Sequence, residues 1–386
     1  IRDRDWSPDS KKIYTTITDL RTARKMYLLD WSIDSLYRPD LLYYYRASPG
    51  DTNLVYQVPV IFDIESGKMV KIDLEPKAHF NMPDLRWVEN GAFLYGRNWH
   101  RGYKRLDFIE IDPSNGHIRV VGTDSSKTNI EIMYSIFEYS EKTNKIFFSS
   151  ERSGWNMLYS MDWETGKITQ ITNGSYFIKD LEYLDEENEV IYFTAAGKET
   201  GINPYLQFLY RVNYDGSELR LLTPEDANHM VDIAPDGRYI VDNYSRLDQP
   251  AISVIRNALD GEVLLEIDKT DISPALDIGW QTPVSFKVKA SDDKTDIYGA
   301  FWLPSNLDRR KSYPVIDNSY TGPHTTVYPK SFSQVVHGSE KQSLAELGFI
   351  VMVVDGRGSA MRSKEFHDHS YGRLGFSLQD HIAAIE

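Results

Sequence analysis

Two short stretches near the C-terminal end carry residue types that could do chemistry. Tyr320 closes the apolar run 314–320 and stands just before Gly322-Pro323. Glycine and proline force a turn there, and open α/β sheets place their ligands at the carboxyl ends of strands. A phenol held on such a turn stands where a ligand would bind; the same residues also suit a buried tyrosine with one satisfied hydrogen bond. The second stretch, Asp355-Gly-Arg-Gly-Ser359, offers Asp355 and Arg357 as charges next to glycine turns. His367, His369 and His381 invite a metal or triad reading, but their spacing matches no common zinc motif, and surface-loop histidines are the default. A nucleophile elbow reads Gly-x-Ser-x-Gly. No such pentapeptide occurs, and Gly356-Arg-Gly-Ser359-Ala lacks the final glycine.

Composition removes several classes of function. A net charge of −14 over 386 residues, with no basic cluster longer than Arg309-Arg310-Lys311, argues against a nucleic-acid partner, because phosphate backbones demand basic stripes. Zero cysteines exclude disulfides, thiolate zinc sites and a cysteine nucleophile. No cofactor motif is present, and no run approaches the roughly 20 apolar residues of a membrane span. The chain opens at Ile1 without an initiator Met or signal pattern and closes at Glu386 inside a helical pattern. The expectation is an internal fragment of something longer, from a bacterial protein exported to the periplasm or secreted.

The elements that must position Tyr320 come in two kinds. Gly67, Gly116, Gly166, Gly216 and Gly261 recur at steps of 49, 50, 50 and 45 residues, each after an apolar run and an acidic or polar turn. Glycine supplies the positive φ of a tight hairpin. A second turn series runs in step at Trp6-Ser-Pro-Asp9, Trp87–Gly91, Tyr183–Glu186 and Ala234–Gly237. Two turns per 45–50 residues between aromatic and β-branched runs indicate four-stranded propeller blades, so residues 1–265 read as an incomplete β-propeller of about five blades. Within it, Asp30–Asp51 breaks the rhythm with Leu41-Leu-Tyr-Tyr-Tyr45. It reads either as an excursion toward a binding cavity or as an edge strand with stacked tyrosines. Glu186-Glu187 lies on a blade turn and reads as a solvated face.

Residues 266–282 read as linker. From 283 the grammar changes to a hairpin over 284–289 and 296–303, a strand over 314–320, a helix over 339–347 capped by Gly348, a continuous apolar strand over 349–355 and a helix from Ser377. An apolar run of that kind is a strand buried on both faces, and the alternation is that of a doubly wound α/β domain.

At these residues the chain resembles the prolyl oligopeptidase superfamily of serine peptidases, in its dipeptidyl peptidase IV branch. Tyr313–Pro323 resembles the family's strand ending in Tyr-x-Gly-Pro, Asp355–Ser359 its next loop, and Arg373-Leu-Gly375 with Asp380 the head of the helix before the nucleophile strand. The propeller, with Trp6-Ser-Pro-Asp9 and Tyr45–Asp51, completes the match. The resemblance implies a β-propeller followed by the N-terminal part of an α/β-hydrolase domain over 283–386. It also implies that Tyr320 is an oxyanion-hole donor, that the Asp355–Ser359 loop is structural, and that a peptide is the substrate. The triad serine, aspartate and histidine would lie beyond Glu386, so none of the three histidines above is the catalytic one. The pair of glutamates that anchors the substrate's amino group would fall before Ile1. The branch also allows a homodimer. The activity implied is that of a dipeptidyl aminopeptidase cleaving short peptides after Pro or Ala at position 2. An oligopeptidase or acylaminoacyl peptidase, a propeller binding module and a pseudoenzyme are the alternatives.

Overall fold

The structure is a computed structural model that describes residues 2–32, 38–48, 50–78, 83–320, 322–336 and 340–386. Ile1, Pro49, Thr321, Ser339 and part of the Asp30–Asp51 excursion, all named above, lie outside them. By internal contacts the chain forms two compact units. One comprises 1–130 with 163–167, the other 131–162 with 168–386.

Five antiparallel sheets follow one another, each with its strands in chain order apart from the first, where a hairpin intervenes. In the first unit, Arg2–Trp6, Lys12–Asp19, Tyr56–Asp63 and Met69–Lys71 form one sheet, joined by the short strand Lys77–Ala78. Asp84–Trp87, Leu94–Trp99, Arg105–Ile111 and Ile118–Ser125 form the next. The second unit contributes three more. Their strands are Phe137–Ser140, Lys145–Ser150, Met157–Asp162 and Ile168–Gln170; Phe177–Asp185, Val190–Ala196, Gln207–Asn213 and Arg220–Leu221; and Asn228–Ile233, Tyr239–Arg246, Gln249–Asn257 and Val263–Lys269. Their middle strands are the most buried: Val190–Ala196 is buried throughout and Lys145–Ser150 nearly so.

All five repeat glycines occupy the hairpin between third and fourth strands, with φ between +65° and +86°. The other turn series also recurs in every sheet, between first and second strands, where Ser10, Gly91, Asn144, Glu189 and Gly237 take positive φ. The Asn144 turn was not among the four turns of this series expected from the sequence. Asn tolerates the left-handed region and supplies the same turn.

Positive φ is half of what the repeat glycines provide. A Cβ on Gly216 would lie 2.5 Å from the Ile171 carbonyl oxygen, and one on Gly261 2.1 Å from that of Leu222. Gly116 and Gly166 meet Lys71 and Val121 in the same way, at 2.2 and 2.4 Å. Each contacted carbonyl belongs to, or directly follows, the last strand of the preceding sheet. Within each unit, these hairpins therefore meet the carbonyls backbone to backbone at an equivalent point.

The Asp30–Asp51 stretch is part of an excursion out of the first sheet and not an edge strand of it. Lys25–Asp30 and Asp40–Tyr45 pair only with each other, as a separate two-stranded ribbon. The tyrosines do cluster, with Tyr43 edge-on to Tyr45 at 6.1 Å and the Lys25 ammonium 3.9 Å above the Tyr43 ring.

The expected boundary at 265 shifts. Val263–Lys269 pairs with Gln249–Asn257 along its length, so strand continues four residues into the expected linker, which also holds the short helix Ser273–Asp277. The last sheet is mixed, ordered Val284–Lys289, Asp296–Trp302, Ile350–Asp355, Val315–Asp317; only the final pair is parallel. Alternation along Ile350–Asp355 sends Val351 and Val353 to one face, with Ala300, Trp302 and Ala345 of the helix Glu340–Glu346. Met352 and Val354 go to the other, with Phe366 and Ala384 from the helices Lys364–Asp368 and Leu378–Ile385. Burial on both faces explains the unbroken apolar run.

Gly216→Ala is expected to destabilise the chain by about 2–4 kcal/mol, from a left-handed alanine plus a backbone overlap. Gly201, with φ +84° but open space around it, should cost only about 1 kcal/mol on the same change. Thermal melting of both variants checks this; equal shifts would mean that the inter-sheet contact carries no weight.

Candidate functional site

The parallel strand pair ends in two loops that interlock. Val315–Asp317 is extended by Asn318, whose N–H donates to the Met352 carbonyl at 2.8 Å. Ser319 Oγ accepts from the Val354 N–H at 3.0 Å and donates to Asp317 Oδ1 at 2.5 Å. Tyr320 emerges directly after these bonds. Its ring folds back onto its own turn, edge-on to His324 at 5.4 Å. A Cβ on Gly322 would sit 2.2 Å from Tyr320 Cε1, so only glycine at 322 admits this ring position. Tyr320 is 56% exposed, and its hydroxyl has no hydrogen-bond partner among the described residues.

The loops that follow the two parallel strands are tied down by buried bonds. Asp355, at the end of the neighbouring strand, is fully buried and accepts from the backbone N–H groups of Val327 at 2.9 Å and Tyr328 at 2.8 Å. Burial pushes its carboxyl up to about 6, against the pull of those two donors. Lys330 donates to Thr326 Oγ1, and burial pushes its ammonium down to about 8. Arg357 bridges Asp380 and Asp292, both at 2.8 Å, and donates to Ser291 Oγ at 2.9 Å. Asp355 and Arg357 are thus structural, as the resemblance implies. Ser359 is buried with its hydroxyl donated to the Gly356 carbonyl, and among the described residues no histidine or carboxylate accepts from it.

The histidines need correction. His367 and His381 are buried, 5% and 3% exposed, and are not surface-loop residues. His381 lies on the helix Leu378–Ile385 and its Nδ1 meets Asp317 Oδ2 at 2.6 Å. His367, on the helix Lys364–Asp368, donates Nε2–H to the Pro323 carbonyl at 2.6 Å, while its Nδ1 faces Glu151 Oε1 at 3.7 Å. The imidazole p K shifts accordingly: although burial opposes it, the Glu151 carboxylate, with Glu131 behind it, holds the His367 imidazole above its ordinary value. Lys364 completes the cluster, 3.1 Å from Glu151 and 3.0 Å from Asp368. His369 remains half-buried, its ring 6.3 Å from that of Phe376. Glu151 was not singled out in the sequence; a carboxylate directly after the apolar strand Lys145–Ser150 was the available signal. Glu187 is exposed and paired with Lys142 at 3.2 Å, a solvated residue as expected, whereas Glu186 departs from that reading: it is half-buried, with Oε1 shielded from solvent.

One further cluster has metal-like composition. Ligand atoms of Glu225, His229 and Asp242 lie within 4.8 Å of one another. Arg256 already occupies the cation's place, with Nε 2.8 Å from Asp242 and Nη2 2.7 Å from Glu225. This is a buried ion-pair network within the fifth sheet.

Comparison with known proteins places this geometry. The profile of the dipeptidyl peptidase IV N-terminal region matches residues 4–251, and that of the prolyl oligopeptidase family matches 335–386. Tyr320 falls between the two. The chain is 23% identical to dipeptidyl peptidase 4 of Trichophyton tonsurans over 322 residues, covering 81% of this chain and 41% of the relative. It is 23% identical to a Metarhizium robertsii protein named "Probable dipeptidyl-aminopeptidase B", covering 99% of this chain and 44% of the relative. The crystal structure of Porphyromonas gingivalis dipeptidyl peptidase 4 superposes with a TM-score of 0.82 at 17% identity, covering 99% of this chain and 53% of that one. The chain thus spans about two-fifths of the length of the curated relatives it matches. The expectation of a bacterial, periplasmic or secreted protein is overturned, because these curated relatives are fungal and point to a eukaryotic origin. Its basis was an acidic, cysteine-free composition, which has no physical link to either kingdom. Among the described residues no helix is long and apolar enough to cross a membrane.

The raised His367 value has a definite consequence for stability. A histidine whose folded value lies above its unfolded one contributes stability that is complete below about pH 6.5 and is lost as pH rises through the folded value. Glu151→Gln should therefore lower the melting temperature more at pH 5.5 than at pH 9. The difference is expected to be about 2–4 °C, for about 1 kcal/mol of charge-assisted bonding. A loss of equal size at both pH values would show that Glu151 acts only through Lys364.

Proposed function

The chain belongs to the dipeptidyl peptidase IV branch of the prolyl oligopeptidase family, a family of serine peptidases, and from that premise we propose that the protein it represents is a dipeptidyl aminopeptidase. Its substrates would be short peptides with Pro or Ala at position 2, cleaved after that residue. The five sheets over 1–265 would be blades of a β-propeller, 266–282 a connection that begins with the last blade strand's end, and 283–386 the first part of an α/β-hydrolase domain.

The observation that carries the reading is the state of Tyr320. The strand end that carries it is held by the bonds of Asn318 and Ser319, yet its own ring is largely exposed and its hydroxyl is unbonded among the described residues. A tyrosine kept for packing would bury its ring and satisfy its O–H. A free phenol at the carboxyl end of a parallel strand pair is instead set to receive charge. In acyl transfer that charge is the oxyanion of the tetrahedral intermediate, and a pre-aimed donor is worth about 3–4 kcal/mol. The resemblance supplies the second donor, a backbone N–H after the nucleophile. Within these 386 residues no Gly-x-Ser-x-Gly elbow is encoded, and among the described residues no histidine or carboxylate accepts from the buried Ser359.

Two outcomes test the proposal. The 386-residue chain by itself should release no chromophore from Xaa-Pro or Xaa-Ala substrates; turnover abolished by Ser359→Ala would assign the chemistry to the wrong residues. In the full-length protein, Tyr320→Phe should leave folding intact and lower kcat about 10²–10³-fold. A change confined to KM would make Tyr320 a binding residue only.

A further inference from the structure

The turn that bears Tyr320 is held from both sides by a buried imidazole. On its N-terminal side, His381 bonds Asp317, three residues before Tyr320, at 2.6 Å. On its C-terminal side, His367 donates to the carbonyl of Pro323, three residues after Tyr320, also at 2.6 Å. The two histidines come from different helices, and each is backed by a second anchor. Ser319 fixes the other oxygen of Asp317, and Asp380, next to His381, is locked to Arg357 and Ser291. Glu151 faces the remaining nitrogen of His367, and the backbone N–H of Lys364 donates to the Gly154 carbonyl at 2.8 Å. His367 thus links the tyrosine turn to the loop after the strand Lys145–Ser150.

We propose that His367 and His381 are positioning residues that set the reach and angle of the Tyr320 hydroxyl by fixing the two ends of its turn. The inference rests on the reading of Tyr320 as the oxyanion donor. It follows from what each bond can move. A free phenol has no bond of its own to hold its aim, so its position is only as definite as the backbone on either side. Displacing a catalytic group by about 1 Å costs up to about 10²-fold in rate. The Pro323 carbonyl can only accept, so the proton stays on Nε2 of His367 and its Nδ1 can meet the Glu151 carboxylate only as a second donor. The groups that face this imidazole are Glu151 and Glu131 from the third sheet's end and Lys364 from its own helix, and the raised His367 value agrees with that arrangement. A ring hydrogen-bonded through Nε2 to Pro323 and facing a carboxylate 3.7 Å from Nδ1 is oriented at both ends, which a packing histidine does not need.

The test uses the full-length protein, a Xaa-Pro p-nitroanilide substrate, and amide hydrogen exchange over 318–329. His367→Ala should lower kcat about 10-fold with KM within about twofold, and should speed exchange in that segment. His367→Gln, whose amide can still donate to Pro323, should recover most of the rate. The double variant His367→Ala/Tyr320→Phe should be no slower than Tyr320→Phe, since both changes act through one hydroxyl. Unchanged kcat and exchange in His367→Ala, or losses that multiply in the double variant, would overturn the proposal. If Tyr320→Phe alone keeps full kcat, the oxyanion reading fails. The clamp is then judged on exchange: faster exchange in His367→Ala supports it, and none overturns it. Should His367→Ala not fold, Glu151→Gln, which preserves volume, is expected to show the same kcat loss at smaller amplitude, and a rate equal to the parent's would count against the proposal.

Discussion

The contact on which the sheet region depends is made by backbone alone. Each third-to-fourth hairpin after the first lays its glycine on a carbonyl at the end of the preceding sheet, so close that a Cβ would lie 2.1–2.5 Å from oxygen at Gly116, Gly166, Gly216 and Gly261. Side chains could not set so uniform a spacing, because their sizes vary from sheet to sheet. A glycine tip makes every joint the same length whatever the flanking residues are. That is why a chain with little obvious internal sequence identity still repeats at nearly constant steps, and why the repeat is carried by glycines rather than by apolar residues.

The α/β part is organised by charge placed at strand ends. Asp355 spends both carboxylate oxygens on the backbone of 327–328, and Asp380 spends both of its on Arg357 and Ser291. A buried carboxylate is costly unless its lone pairs are used, so each one dictates where the facing loop must lie. The outcome is a set of loops whose geometry is decided by buried bonds, while Tyr320 itself is left open to solvent.

Legibility in the sequence followed the range of the interactions. The glycine hairpins, the twice-buried strand Ile350–Asp355 and the helix Glu340–Glu346 were readable because each is signalled within a few residues. The joint between sheets was not, since the partner of Gly216 is the Ile171 carbonyl and carbonyls leave no mark on sequence. The Asn144 turn is marked only by Ser140-Glu-Lys-Thr-Asn144, a polar run that does not by itself distinguish a hairpin from any other solvated segment. The Asp30–Asp51 stretch was recognised as irregular, but its separate pairing with Lys25–Asp30 depends on an alternative partner for Lys12–Asp19, namely Tyr56–Asp63, far along the chain. Tyr320 could be singled out from its turn and its resemblance, whereas its exposure could only be seen in the structure.

The histidines mark where local reading fails for a physical reason. His-Asp-His at 367–369, among polar residues, has the composition of a solvated loop, and nothing nearby accounts for burial. The carboxylates that make burial tolerable are Glu151, which follows a strand of the third sheet, and Asp317, on the strand leading to Tyr320. Imidazoles facing carboxylates in this way can leave water because each partner offsets the other's desolvation, and each would be costly if left alone. The pairing therefore has to be kept or lost as a unit. It follows that Glu151, remote in sequence from every motif of the α/β part, belongs functionally to the tyrosine turn, and that the sheet region contributes to the site through the residue that keeps His367 in place.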